Sequence, residues 1–332
     1  MRLAALALTA GLAAAPVMAE VNIYAFNQPY LAPLAKAFEE KTGTQVNVVN
    51  LSGGLVERLQ AEGARSPADL ATSVDIAVLK EVVDAGLTQP VDSEVLESRI
   101  PPLLRDEGNH WFATTMRGRV VFASKERVEP GAIETYADLT DPRWKGRICI
   151  RPGLHPYNVT LFGAMIAHTG KEATRDWLNG LRANLARKPQ GNDRAQIKAI
   201  AAGQCDIAVG NTYYLGQMHA RDETRDIAEQ VRVVFPAFAE GGGTHINISG
   251  VAMTKAAPHP GDAKAFMEFL VTKEAQEIFA RINFEYPVVA GASPAPFVQE
   301  WGEFTPDDLP LETLAEMRDE AVRLVEEVGF DG

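Results

Sequence analysis

A chain of 332 residues, 46% of them apolar, has the composition of an ordinary globular protein, and its 44 acidic against 32 basic side chains give a formal net charge of −12 at pH 7. That balance excludes nucleic acid or another polyanion as a natural partner, and the acidic residues are dispersed along the chain as solvated faces. The length exceeds the roughly 250–300 residues at which a single hydrophobic core stops growing, so two lobes are expected.

The chain opens with Arg2, an almost unbroken apolar run from Leu3 through Ala15, and the small-residue ending Val17-Met18-Ala19. This is the layout of a secretory signal peptide cleaved after Ala19, and the run is too short for the roughly 20 residues that span a bilayer. The mature protein then starts at Glu20 and is expected to be soluble in a bacterial periplasm.

Val21 to Phe26 reads as a strand, and Leu31, Leu34 and Phe38 recur at helical spacing up to Thr42-Gly43, followed at once by a second apolar run from Val46 to Leu51. A strand, helix, strand order of this kind predicts a parallel sheet with a crossover helix. Gly53-Gly54 opens another helix with Leu55 and Leu59 on one face. Further on, Arg147 to Ile150 reads as a strand, Tyr157 to His168 as a helix, and Trp177, Leu181 and Leu185 mark the next one. Ala195 to Ala202 is helical, Cys205 to Val209 is a strand, and a helix starts from Tyr213. The fold class is therefore α/β. Two β-prone segments, Ala113 to Ser124 and Thr244 to Thr254, stand where one series gives way to another and are expected to cross between lobes as a hinge of paired strands. A last helix is expected from Leu311 to Val328, with one apolar stripe that packs on a lobe.

In an oxidising compartment the two cysteines, Cys149 and Cys205, are expected to form one disulfide, the lesser alternative being a metal site of two thiolates. The bond would tie together two stretches that each carry tyrosine eight residues downstream, Tyr157 and Tyr213.

Of the seven tyrosines, four lie in turn-like contexts with polar or proline neighbours: Tyr30, Tyr157 and the adjacent pair Tyr213 and Tyr214. Taken singly, each fits a tyrosine at a core edge with its hydroxyl directed outward. As a set, Tyr157 and the pair follow predicted strands, where α/β sheets bind ligands. A phenol titrates near pH 10, so ligation requires a hard, highly charged cation, and three phenolates would neutralise ferric iron. Arg117 and Arg119, on the first crossing segment, could hold a small anion such as carbonate against the metal or lower a phenol's pKa; an ordinary hinge salt bridge is the alternative. The six histidines show no pair at ligand spacing. His245 alone stands where it could approach a cleft, with a structural hydrogen bond as its expected role, while His110, His155, His168, His219 and His259 read as loop or helix-surface residues.

Over essentially the whole mature chain the sequence resembles the periplasmic ferric-ion-binding proteins of bacterial ABC importers. The marks include Gln28-Pro29-Tyr30, Ser66 to Asp69, Trp144-Lys145-Gly146, Tyr157-Asn158-Val159, Asp193-Arg194, Gly210 to Tyr214 and Asn247 to Gly250. The resemblance implies a two-lobed, type II periplasmic-binding-protein fold. One lobe would hold residues 20–116 and 250–290, the other 117–249 and 291–332. It also implies Tyr157, Tyr213 and Tyr214 as ligands of Fe3+ cargo, Tyr30 as a further ligand, Gln28 beside the site, and Arg117 as partner of a carbonate anion. Where relatives place histidine or arginine before this first tyrosine motif, the chain has Asn27. The implied protein is a monomer, not an enzyme, that hands iron to an inner-membrane permease. The alternatives are the same fold with an organic cation or oxyanion as cargo, or an iron-phenolate oxygenase, which would want the histidine ligands this chain lacks.

Overall fold

The computed structural model describes residues 19–26, 30–238 and 241–332, so the leader and Gln28 lie outside the described residues. The opening unit forms as its periodicity predicts: β1 (Glu20–Phe26), α1 (Leu31–Thr42) and β2 (Gln45–Leu51), with β1 and β2 parallel and Val21 opposite Val46. Gly43 ends α1 in the left-handed region at φ 76°, returning its N–H to the Glu39 carbonyl. After α2 (Leu55–Glu62), β3 (Leu70–Ser73) adds to the other edge of β1, also parallel. α3 (Ile76–Asp84) and α4 (Glu94–Arg99) follow, capped by Asp75 and Ser93. Both faces of β1 are covered. Val21, Ile23 and Ala25 share a core with Leu34, Phe38 and Phe266, whereas Tyr24 packs with Leu55, Leu59 and Val82.

β4 (Phe112–Ser124) leads to the second half: β5 (Ile148–Cys149), α5 (Pro156–Thr169), α6 (Lys171–Ala183), α7 (Asp193–Ala201), β6 (Ile207–Asn211), α8 (Thr212–His219), α9 (Asp222–Glu229) and β7 (Val231–Val234). β8 (Ile246–Met253) returns to the first half, where α10 (Pro260–Leu270), α11 (Lys273–Asn283) and β9 (Tyr286–Pro287) complete it. The strand order is β2-β1-β3-β8-β4-β6-β5, with β7 and β9 also on β4. All thirteen residues of β4 are buried. Its front part, Phe112 to Gly118, pairs antiparallel with β8, and its rear part, Arg119 to Ala123, with β6. The second half repeats the layering, since Val121, Ile207 and Phe162 lie in one core and Val120, Phe122, Ile197 and Leu215 in the other. Among the described residues no helix is long and apolar enough to cross a membrane.

Three sequence expectations are corrected. The last helix is two, α13 (Leu311–Glu316) and α14 (Arg318–Glu327), after the short α12 (Pro296–Gln299). The break falls at Met317, where Gly163 of α5 passes so close that a Cβ would stand 3.2 Å from the Met317 Cβ. α13 packs on α3 and α5, and α14 on α5 and α6, which one straight helix does not do here. Leu185 lies beyond α6 and bridges to Ile148, because the chain has already turned back to the sheet. The strand predicted over 147–150 is reduced to the two residues that pair with β6.

Cys149 and Cys205 are bonded, with Cα atoms 5.9 Å apart and a sequence separation of 56. The link ties β5 to the segment entering β6, the two strands from which α5 and α8 follow. In the chain-entropy account a loop of this length contributes roughly 4 kcal/mol. Replacing both cysteines by serine is expected to lower unfolding stability by about that amount in urea titration; a loss near zero would show that the bond constrains nothing the sheet does not already hold.

Candidate metal centre

Tyr157, Tyr213 and Tyr214 open helices, as the helix starts read from the sequence imply, and at α8 strand and helix meet with no linker. Asn211 is both the last residue of β6 and the N-cap of α8, so Tyr213 and Tyr214 are the second and third residues of that helix. Tyr157 is the second residue of α5, after Pro156 at the first position, and its N–H donates to Nδ1 of His155, the N-cap.

The three meet although they come from separate stretches. The Tyr213 hydroxyl donates to the Tyr157 hydroxyl at 3.2 Å, and the rings of Tyr213 and Tyr214 are 4.3 Å apart. Tyr30, at the N-cap of α1, joins them from the other half in the wall of one cavity of about 280 Å³, shared with Arg194, Gln217 and Glu285. Its hydroxyl lies 3.2 Å from Ser249 Oγ on β8. Burial, the neighbouring Tyr214 and a counteracting Arg117 leave the Tyr157 phenol pushed up to about 12. Tyr213 stands well above the ordinary phenol value through burial and then Tyr157 and Tyr214, and Tyr30 likewise through burial and then Glu285. Among the described residues no group of three or more His, Cys, Asp or Glu could hold a metal ion, and four phenols and the Glu285 carboxylate are the acidic oxygen groups lining this cleft.

Arg117 and Arg119 both rise from β4 but do different work. Arg119 is consumed by structure: its Nη1 donates to Asp193 Oδ1 at 2.6 Å and to Asn211 Oδ1 at 3.0 Å, and its Nη2 to Asn158 Oδ1. Asp193 also accepts from Arg151 and from the Asn211 N–H. Burial opposes the charge of Asp193, but Arg119 and Arg151 outweigh it and hold its pKa below the usual carboxylate value. This network fixes the starts of α5, α7 and α8 relative to one another. Arg117 makes no such bond, its Nη1 lying 3.9 Å from Glu285 Oε1. The guanidiniums of Arg151, Arg117 and Arg119 stand 5.1, 5.6 and 6.0 Å from the centre of the Tyr157 ring.

Three residues beside the site escape sequence reasoning. Glu285, buried between Phe284 and Tyr286, accepts from Thr115 and from Ser249 Oγ at 3.1 Å. A carboxylate inside an apolar run was its signal. Phe284 before it holds a positive φ of 62° and packs on Gly216 of α8, where a Cβ would come within 2.6 Å of the Phe284 Cβ. His155 is no bland surface residue: its ring lies 4.7 Å from that of Tyr157, and burial, Arg151 and Arg119 push it down to about 3. Its signal was its place before Pro156, the N-cap position. Arg151 had none, being one arginine among many. His245 is buried with Nε2 unpartnered, so the expected structural hydrogen bond does not form at that atom.

Residues 65–303 match the family model for bacterial extracellular solute-binding protein. The chain belongs to that family. This solute-binding protein is 40% identical over 316 residues to iron uptake protein A1 of Synechocystis sp., covering 94% of this chain and 87% of that protein. It superposes on ferric iron-binding protein A of Mannheimia haemolytica in an open conformation with a TM-score of 0.88 and 46% identity, over 95% and 99% of the two chains. A Trichodesmium protein (IdiA, FutA) in complex with iron and citrate ligands gives 0.89 and 38%, over 94% and 99%. The solute-binding protein thus has the two-lobed type II fold of these structures, with β4 and β8 as the crossing strands. Its relatives carry names of uptake and binding proteins, which sets the oxygenase alternative aside.

Proposed function

We propose that this protein captures one ferric ion in the cleft between its lobes through the phenolates of Tyr157, Tyr213 and Tyr214, and delivers it to an inner-membrane ABC importer. The observation that carries this reading is the 3.2 Å approach of the Tyr213 and Tyr157 hydroxyls, with the tilted Tyr214 ring 4.3 Å from that of Tyr213, in a structure without a cluster of three or more His, Cys, Asp or Glu among the described residues. Three phenolates cancel the charge of Fe3+ and leave a neutral buried centre. Tyr30 reaches the same cavity from residues 20–116 and 250–290, the first lobe, and adds a phenol as that lobe closes on residues 117–249 and 291–332. Arg117 supplies positive charge beside Tyr157 and Tyr213, and a carbonate ion completes the shell. The names of the relatives support iron as cargo, and the citrate of the Trichodesmium complex supports an oxyanion beside it. The protein works in the periplasm as a monomer after cleavage following Ala19.

Adding ferric citrate to the purified apoprotein is expected to produce a visible phenolate-to-metal absorption band that saturates at one iron per chain. A colourless endpoint, with no tight binding, would leave a carrier of some other small solute.

A further inference from the structure

Behind the Tyr157 ring lies a second space, walled by Arg117, Arg119, Asn211, His245, Asn247 and Thr160. It measures about 10 Å³, room for a single particle near the size of a water molecule. Five polar atoms on these walls are buried without any hydrogen-bond partner: Nη1 and Nη2 of Arg117, Nε of Arg119, Nδ2 of Asn211 and Nε2 of His245. The four arginine and asparagine nitrogens are donors, and His245 Nε2 is one in the matching tautomer. The amide acceptors of the walls are already used, since Asn211 Oδ1 takes Arg119 and Asn247 Oδ1 takes the N–H groups of Ile76 and Ile248. Thr160, whose hydroxyl donates to the Tyr157 carbonyl, keeps its oxygen as the remaining acceptor. Asp75 Oδ2 is also unpartnered, but Asp75 is not part of these walls.

A donor left unmade in a buried site costs about 1–3 kcal/mol, more when the group is charged. With Arg117 Nη1 near Glu285 at 3.9 Å, four unpartnered donors remain on these residues, and a water molecule offers only two lone pairs. A small anion accepts from several donors at once. We infer that this chamber holds one small monovalent inorganic anion of the halide class, separate from any anion in the tyrosine cleft. Its size excludes a carboxylate. Its charge is limited to one because the three guanidiniums around Tyr157 already face Asp193 and Glu285, with Asp75 acting on Arg117 from further away. His245, kept neutral by burial and by Arg119 and Arg117, serves as a donor without adding charge. The inference does not depend on the cargo of the cleft.

Bromide is the probe. With the iron-free mature protein, the melting temperature is expected to rise by about 2 °C at bromide tenfold above its Kd, relative to gluconate at the same ionic strength. Crystals grown in bromide are expected to give an anomalous peak inside the chamber. His245→Phe fills the space and removes a donor, and Arg117→Gln removes the charge; both are expected to abolish the bromide-dependent rise. The diffraction experiment needs no variant and decides the matter if either one fails to fold. A chamber holding only water in bromide crystals, or a rise that survives both substitutions, would overturn the inference.

Discussion

Substituting phenylalanine at both Tyr213 and Tyr214 is expected to erase the visible ferric-phenolate band and to weaken iron binding by well over the roughly 10–100-fold that loss of an outer-shell partner causes. The change removes two oxygens and keeps the rings, so the tilted ring contact at 4.3 Å and the burial of residue 213 persist. Far-ultraviolet circular dichroism and the melting temperature should therefore stay near the parent values, separating lost ligation from lost fold. The variant also strips Tyr157 of the hydroxyl bonded to its own. A double variant that still colours with iron would remove the pair from the site.

The second large effect is that of pH. Before iron arrives Tyr157 and Tyr213 are protonated phenols: burial and the neighbouring tyrosines push the first up to about 12 and hold the second well above the ordinary phenol value. Each phenolate that forms on the metal releases one proton, so affinity rises with pH and is lost as pH falls. For three phenolates the apparent binding constant changes by about 10³ per pH unit throughout the range below these pKa values. Competition against a chelator of known protonation, from pH 5.5 to 7.5, measures the slope. A value near one would leave a single phenolate in the shell and contradict the proposed charge balance.

The resemblance of this chain to its iron-binding relatives was legible in its tyrosine neighbourhoods, and its first sheet unit in plain periodicity. α1 carries Leu31, Leu34 and Phe38 on one face, and β1 pairs with β2 in the register its apolar run implies. What one sequence could not display is partnership over distance. Arg117 and Arg119 alternate on the same strand two residues apart, and nothing local distinguishes them. The difference lies in Asp193 and Asn211, 74 and 92 residues away, which engage one guanidinium and leave the other with a carboxylate at 3.9 Å. Glu285 was hidden for the same reason, since its hydroxyl partner on β4 is 170 residues upstream. The split at Met317 was invisible because its cause, the close pass of Gly163, belongs to another helix.

The pairing of β3 with β8 bears on how the polypeptide matures. β3 is flanked by β1 on one side and by β8 on the other, so the first lobe keeps a bare strand margin until residues 246–253 have emerged. An exposed margin of that kind invites association with other chains. A nascent molecule crossing the membrane from its amino end therefore has nearly three quarters of its length outside before its first domain can seal, which makes the journey itself the stage at which it needs protection.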